Sequence, residues 1–408
     1  MKSSWRIYFT PLINADTYGD EVDVTQDVDF SSFGNLQKQL DNNDFDIGVL
    51  KNSNVTVSLN NLNGLYSDVD VIESMFRYTR NNSLVRITFS YESVPNTCGM
   101  MIAGQTYLAS EIEVFKGFLN DDSAQMSLSD HKVPFTFLGL ESLFDNVPVG
   151  SVLSNSDSIA TCIYNLLNQL QITQFLTIDL ANLNPAVDQP VDDVSSYANQ
   201  VVSQALSDLL LISSSVLYIV NDTVYVASRA PTNDVKKTFY GQASANGTEN
   251  ITAIDSISTG FAKIFNYLTW NSDPSIIVQD AGSILKYKIK SKEFSVSFYT
   301  DPTKINSLLG NVLNEFKLPE QEFLLTTPID YQTIALALLD RVTVDYPPLV
   351  SPIDASTPLP ICGLAICGQA VAPKRLYNFS IDPPTDYKIM NIEIDFQTAL
   401  LIFKLRKI

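Results

Sequence analysis

The chain has 408 residues, enough for about three domains on length alone, and 45% of them are hydrophobic, so packed cores rather than disorder are expected. Twenty-six Lys and Arg stand against 45 Asp and Glu, giving −19 at pH 7 and a pI near 4.3. That balance excludes a duplex-binding footprint and disfavours an anionic membrane surface, since both need a basic face. No apolar h-region follows MKSSWRIYF, so no signal peptide is expected. The most apolar stretch, LLLISSSVLYIV (209–220), is too short to cross a bilayer.

The first 145 residues predict mostly strands. Trp5, Ile7 and Phe9 alternate with polar neighbours, and EVDVTQDVDF alternates again at Val22, Val24 and Val28. DNNDFDIG (41–48) is expected to be a loop; its Asn42, Asp44 and Asp46 lack the glycine and glutamate spacing of a calcium loop. The expected strands that follow are NVTVSLNN, SLVRITFSY, MMIAGQTYLAS, EVFKGFL and KVPFTFLGL. Within 55–67, VTVSLNNLNGLYS, the alternation directs Val55, Val57 and Leu59 to a core and Thr56 and Ser58 outward. Asn63-Gly64 permits a turn with positive φ, over which Tyr66 packs.

The pattern then changes period. In 156–172, Ile159, Cys162, Ile163, Leu166, Leu167 and Leu170 share one helix face, with Ser156 and Asp157 as candidate caps. A second helix is expected over 193–212, with Tyr197, Val201, Ala205 and Leu209 on one stripe. VLYIV-ND-TVYVAS (216–228) predicts a hairpin around Asn221-Asp222. The last third returns to strands: FNYLTWN, SILKYKIK (283–290), FSVSFYT (294–300), DRVTVDYP, YNFSIDPP, YKIMNIEIDF and ALLIFKLRKI. One helix is expected at 301–319, with Pro302 near its first turn. The fold class this implies is α+β, mostly β. Two β-barrel or sandwich domains, 1–145 and 241–408, flank a smaller helix–hairpin domain, 146–240, and the order leaves open whether the domains interleave.

Catalytic constellations are scarce. One histidine, His131, rules out multi-histidine metal sites, and neither GxGxxG nor GxxxxGK[ST] occurs. Cys362 and Cys367 form a C-x4-C without a second ligand pair, which fits a hairpin disulfide or two reduced thiols better than a metal site. Neither a catalytic, a cofactor-binding nor a metal-binding set is assigned, and no enzyme activity is expected.

The order DEVDVTQDVDFSSF, VTVSLNNLNGLYSDVD, NNSLVRITFSY, EVFKGFLNDD, PFTFLGLESLFDN resembles the N-terminal part of phage tail hub (tail-tip, baseplate hub) proteins. There a D-V-T opening precedes a T-F-x-L-x-N-x-D-G-x-Y-S strand and turn, a P-V-R-I strand and an F-x-G-x-I strand. Here Asn61, Asn63, Gly64 and Tyr66 occupy the turn, with Asn63 and Leu65 departing from the family's Asp and Arg. LDRVTVDYP and YKIMNIEIDFQTALLIFKLRKI are similar to the family's closing strands. The resemblance implies two tube-like β-domains per chain and a homotrimer forming a pseudo-six-fold ring at the distal end of a phage tail. That virion protein would be made in the host cytoplasm. It further implies partners: the tail tube or a distal tail protein, the tape measure protein and a central fibre or spike. The genome would pass without specific binding and no membrane would be entered. A hexameric distal tail protein, a tail-associated cell-wall hydrolase and a receptor-binding adhesin are the rival expectations.

Overall fold

In a computed structural model of the chain, the residues described are 3–14, 17–40, 53–66, 75–76, 79–91, 110–120, 131–145, 147–169, 176–183, 188–220, 222–229, 232, 234–242, 244–347 and 379–408. The expected strand at 100–109, the loop at 41–48, and Cys98, Cys362 and Cys367 lie outside them.

The first sheet is built from β1 (Ser3–Asn14), β2 (Thr17–Tyr18), β3 (Val22–Asp23) and β4 (Val28–Asp29). Beyond β5 (Leu36–Gln39) it continues with β6 (Asn54–Asn60), β7 (Thr79–Tyr91), β8 (Ser110–Asn120) and β9 (Lys132–Gly139). Its order is β2-β1-β7-β8-β9-β6-β4, with β3 also on β1. β3 and β4 therefore sit at opposite ends of the sheet, joined by a short 3-10 turn. The single strand expected from EVDVTQDVDF is thus two short ones: Val24 is buried and Val22 exposed. The Thr25 hydroxyl accepts from Ile7 N at 2.9 Å, and the Asp23 carboxylate accepts from Thr25 N at 2.9 Å. These local side-chain bonds compete with ladder pairing and break the strand.

The middle contains α1 (Ile159–Gln169), β10 (Thr177–Asp179), α2 (Val202–Ile212), β11 (Ser215–Val220) and β12 (Thr223–Ser228). Ile159, Cys162, Ile163, Leu166 and Leu167 are all buried, as the periodicity requires. The cap differs from the expectation. Ser156 has φ +73°, and the first amides are met by the Ser158 hydroxyl (3.2 Å to Thr161 N) and Asp188 (2.8 Å to Ala160 N). Tyr197 lies in a 3-10 turn before α2, and Val201 is its exposed N-cap, so the helix is shorter than 193–212. The hairpin β11–β12 pairs Val220 with Thr223, and Asp222 takes φ +60° in its turn.

The remainder comprises β13 (Val235–Tyr240), β14 (Ala253–Ser258), β15 (Tyr267–Trp270), β16 (Asp273–Gln279), α3 (Ala281–Tyr287) and β17 (Ser291–Phe294). It ends with α4 (Pro302–Phe316), β18 (Glu322–Pro328), α5 (Tyr331–Ile334), β19 (Arg341–Tyr346), β20 (Ile381–Asp395) and β21 (Leu400–Lys407). The second large sheet runs β13-β19-β20-β21-β18-β14, with β5 from the N-terminal third paired to β20. The fold is α+β and mostly β, its curled sheets forming a half-barrel. SILKYKIK, expected as a strand, is largely α3. Asp280 caps it by accepting from Ser283 N at 2.8 Å, and Lys288 ends it at φ +67°. FSVSFYT is strand only through Phe294; beyond it Val296, Phe298 and Tyr299 are buried outside any ladder. At 301–319 the expected helix is α4, with Asp301 as N-cap and Pro302 in its first turn.

Two cores result. One joins both large sheets and runs from Trp5 to Leu405. In it Phe396 packs on Phe33 (4.2 Å between ring centroids) and on Trp5 (4.6 Å). The other packs α1, α2 and α4 with the two three-stranded sheets, and Tyr197 stacks on Phe298 at 3.8 Å.

Candidate functional site

The turn after β6 is closed from within the chain. Val55, Val57 and Leu59 are buried, and Thr56 is exposed. The Asn61 side chain accepts from Tyr66 N at 2.8 Å, and its backbone N–H donates to His131 O at 2.7 Å. Asn63 accepts from Leu65 N at 3.2 Å, and Gly64, at φ +76°, donates to Asn61 O at 3.1 Å. Tyr66 is fully buried, and its hydroxyl donates to Asp27 at 2.5 Å; burial, with Asp27, pushes the phenol far above its ordinary range. Asn61, Asn63, Gly64 and Tyr66 therefore form one hydrogen-bonded unit that pins β6 to β9 and to the 25–27 turn. His131 is exposed at φ +52°, and it is its backbone that serves the turn.

Where the first sheet, the second sheet and the hairpin meet, charged side chains line small cavities. Lys38, Ser53, Glu113, Lys116, Glu141 and Asp222 surround about 50 Å³. Lys38 and Glu113 also line an adjoining space of about 80 Å³ against Tyr218 and Leu336. Lys116 donates to Asp222 at 2.6 Å, and Ser53 to Glu141 at 3.1 Å. Burial pushes the Glu113 and Glu141 carboxyls up and the Lys38 amine down. These spaces hold water-sized guests, well short of the roughly 300–1,000 Å³ of small-molecule sites. A neighbouring open groove of about 380 Å³ has Glu21 and Arg86 on its wall, bonded to each other at 2.6 and 2.8 Å.

A second charged group is buried outright. Glu322 accepts from Lys263 (2.8 and 3.0 Å) and Arg406 (2.7 Å), with Lys404 at 3.7 Å. Nearby Glu315 accepts from Arg229 at 2.9 Å and from the Ser214 hydroxyl at 2.9 Å, while Lys388 donates to Arg229 O at 3.1 Å. Burial alone would raise the Glu322 carboxyl; Arg406, Lys263 and Lys404 outweigh it and hold it below the usual glutamate range. Burial pushes the Lys388 amine down and Glu320 up. The network ties β18, β20 and β21 to α4 and the end of β12. Its chemistry is that of a joint.

Among the described residues no three His, Cys, Asp or Glu side chains converge as a metal site would require. Cys162 is buried in α1, and burial pushes its thiol up to about 12, which removes it as a nucleophile near neutral pH. Nor is any described helix long and apolar enough to cross a membrane.

What remains is surface. Exposed large apolar residues concentrate around α3: Leu285 is 85% exposed, Ile289 61%, Leu318 55% and Phe261 53%. Phe261 meets Tyr287 edge-on at 5.6 Å, and the Ser283 hydroxyl donates to Lys317 O at 2.5 Å, which brings the 261 and 318 segments against α3. Lys286, Lys288 and Lys290 are exposed among them. This cluster escaped the periodicity reading because 283–290 alternates like a strand. The signal that could have found it is the run of four lysines without an acid from 281 to 292.

No protein-family model matches the sequence, and no curated protein does. Solved structures do match in fold. A tail protein from Neisseria meningitidis MC58 superposes with a TM-score of 0.58 over 100% of this chain and 97% of that one, at 10% identity. The 43 kDa tail protein of prophage MuSo2 from Shewanella oneidensis gives 0.52 over 98% and 97%, at 11% identity. The prophage tail protein gp18 from Listeria monocytogenes EGD-e gives 0.51 over 98% and 94%, also at 11%.

Proposed function

We propose that this chain is a structural component of a phage-type tail, acting as a trimeric hub at its distal end. The observation that carries the reading is the near end-to-end fold likeness to three tail proteins, two of them from prophages, which spans both large sheets and the middle layer together. Two curled β-sheets in one chain would let three copies present six sheet elements to a six-fold tube above and a three-fold tip below. On this reading the partners are the tail tube or a distal tail protein, the tape measure protein and a central fibre or spike. The genome would pass along the ring, and a net charge of −19 would keep it from adhering. The function requires no catalysis: the charged groups described above act as joints between layers.

The test is gold-labelled antibody against this chain on purified virions or induced prophage particles, with the mass of the purified chain measured by light scattering. Label at one end of the tail and a three-fold ring are expected. Six-fold rings would replace the hub with a hexameric tail component, and label-free tails would overturn the tail reading. Turnover of purified peptidoglycan, abolished by a single carboxylate substitution, would instead favour a hydrolase.

A further inference from the structure

Resting on that reading, we infer that the α3 surface is the contact by which one copy of this chain binds a different face of the next. The twelve residues from 281 to 292 carry four lysines and no acid in a chain of net charge −19, so the other 396 residues carry −23. Lys286, Lys288 and Lys290 rim Leu285, Ile289 and Phe261, all of them exposed. Apolar groups this open are costly to leave in water and mark interaction surfaces when they cluster. Of the two acids that flank this run in sequence, Asp280 is paired with Lys317 at 3.3 Å and Glu293 directly follows Lys292.

The charge fixes the kind of contact. Two such patches brought face to face would repel, so a two-fold, self-complementary interface through α3 is disfavoured. Attraction requires an acidic surface on the partner, and a second copy supplies one. At the edge of the first sheet Asp20, Glu21 and Asp23 surround Val22 on β3, all four of them exposed. Glu21 is bonded to Arg86, and Asp23 accepts from the neutral Thr25 amide; Arg6, which also feels Asp23, is itself paired with Glu111 at 3.0 Å. An apolar centre with an acidic rim therefore meets an apolar centre with a basic rim. A contact between unlike faces propagates head to tail, and it closes into a ring when the rotation between copies permits.

Zero-length carbodiimide cross-linking of an equal mixture of ¹⁴N- and ¹⁵N-labelled chain, mapped by mass spectrometry, tests this directly. Mixed-isotope links from Lys286, Lys288 or Lys290 to Asp20, Glu21 or Asp23 are expected. The oligomer mass should fall to that of the monomer in Leu285→Asp and in Lys286→Glu/Lys288→Glu, both on exposed positions where folding is not at stake. Asp20→Lys/Asp23→Lys should restore the mass of the double lysine variant. A wild-type chain that stays monomeric at its highest soluble concentration would overturn the inference, as would an oligomer unchanged by these variants or mixed-isotope links that map elsewhere. A monomeric wild type would also remove the three-fold ring expected of a hub, whereas an oligomer unchanged by the variants, or links that map elsewhere, would count against this interface alone. The place of the chain in the tail is decided independently by the virion labelling.

Discussion

Replacing Glu322 with Gln removes one negative charge from a place where water cannot compensate. The Glu322 side chain is 5% exposed and Arg406 3%. With contacts near 3 Å and an effective dielectric of about 20, each full ion pair is worth roughly 5 kcal/mol of attraction, most of it offset by desolvation. Gln keeps the shape but leaves Arg406 and Lys263 facing a neutral amide, and stranding a buried charge costs about 3–5 kcal/mol. A chain of 408 residues unfolding as one unit loses about 0.9 kcal/mol per kelvin, so the midpoint should fall by roughly 3–6 °C. Calorimetry and urea unfolding of Glu322→Gln measure this. The acid side gives a second readout. The folded carboxyl titrates below its ordinary 4.5, so its contribution is present above that value and is lost as pH falls through the lower folded one. Stability of the wild type minus that of Glu322→Gln should therefore shrink only below about pH 4.5. Glu113 and Glu141, raised by burial, act in the opposite sense in both proteins and cancel in the difference. Glu322→Leu/Arg406→Met should recover only part of the loss, because it removes both ends of the closest pair but leaves Lys263 without its acceptor. A single-variant loss below about 1 kcal/mol, the size of a surface ion pair, would refute the account of a buried joint.

Asn61→Ala should cost about 1–3 kcal/mol by leaving the buried Tyr66 amide without its acceptor, and Tyr66→Phe about 1 kcal/mol, both read by urea unfolding. Gly117→Ala should be far worse: the new Cβ would lie 2.0 Å from the backbone oxygen of Leu138, forcing β8 off β9, and soluble yield of the variant checks it. Cys162 should resist alkylation at pH 8 until the chain unfolds, as peptide mapping after pulsed iodoacetamide would show.

Much of the architecture is legible from periodicity. The buried faces of α1 and of β6 follow from spacing alone, because burial on one side imposes a period of 3.6 or 2. Legibility fails where local bonds or distant packing override the pattern. Thr25 and Asp23 break a well-alternating stretch, and Asp280 converts SILKYKIK into a capped helix. Asn61, Asn63, Gly64 and Tyr66 were readable as a turn, but the anchor on Asp27 joins positions 39 residues apart in sequence. The Glu322 network was invisible for the same reason: its members come from three strands, a helix and the segments between strands, and no spacing rule links Lys263 to Arg406.

The pairing of β5 with β20 places Leu36 opposite Ile394 and Gln39 opposite Asn391. A ribosome adding about 5–20 residues per second needs roughly 20–70 s to get from one partner to the other. Through that interval an early segment waits with Leu36 and Phe33 lacking their destination beside Phe396. Completion of the first core is thus postponed until the last strands have left the exit tunnel. Truncated translation products, missing only the final two strands, should aggregate or be degraded rather than persist as half-folded chains, which would act as a check on incomplete synthesis.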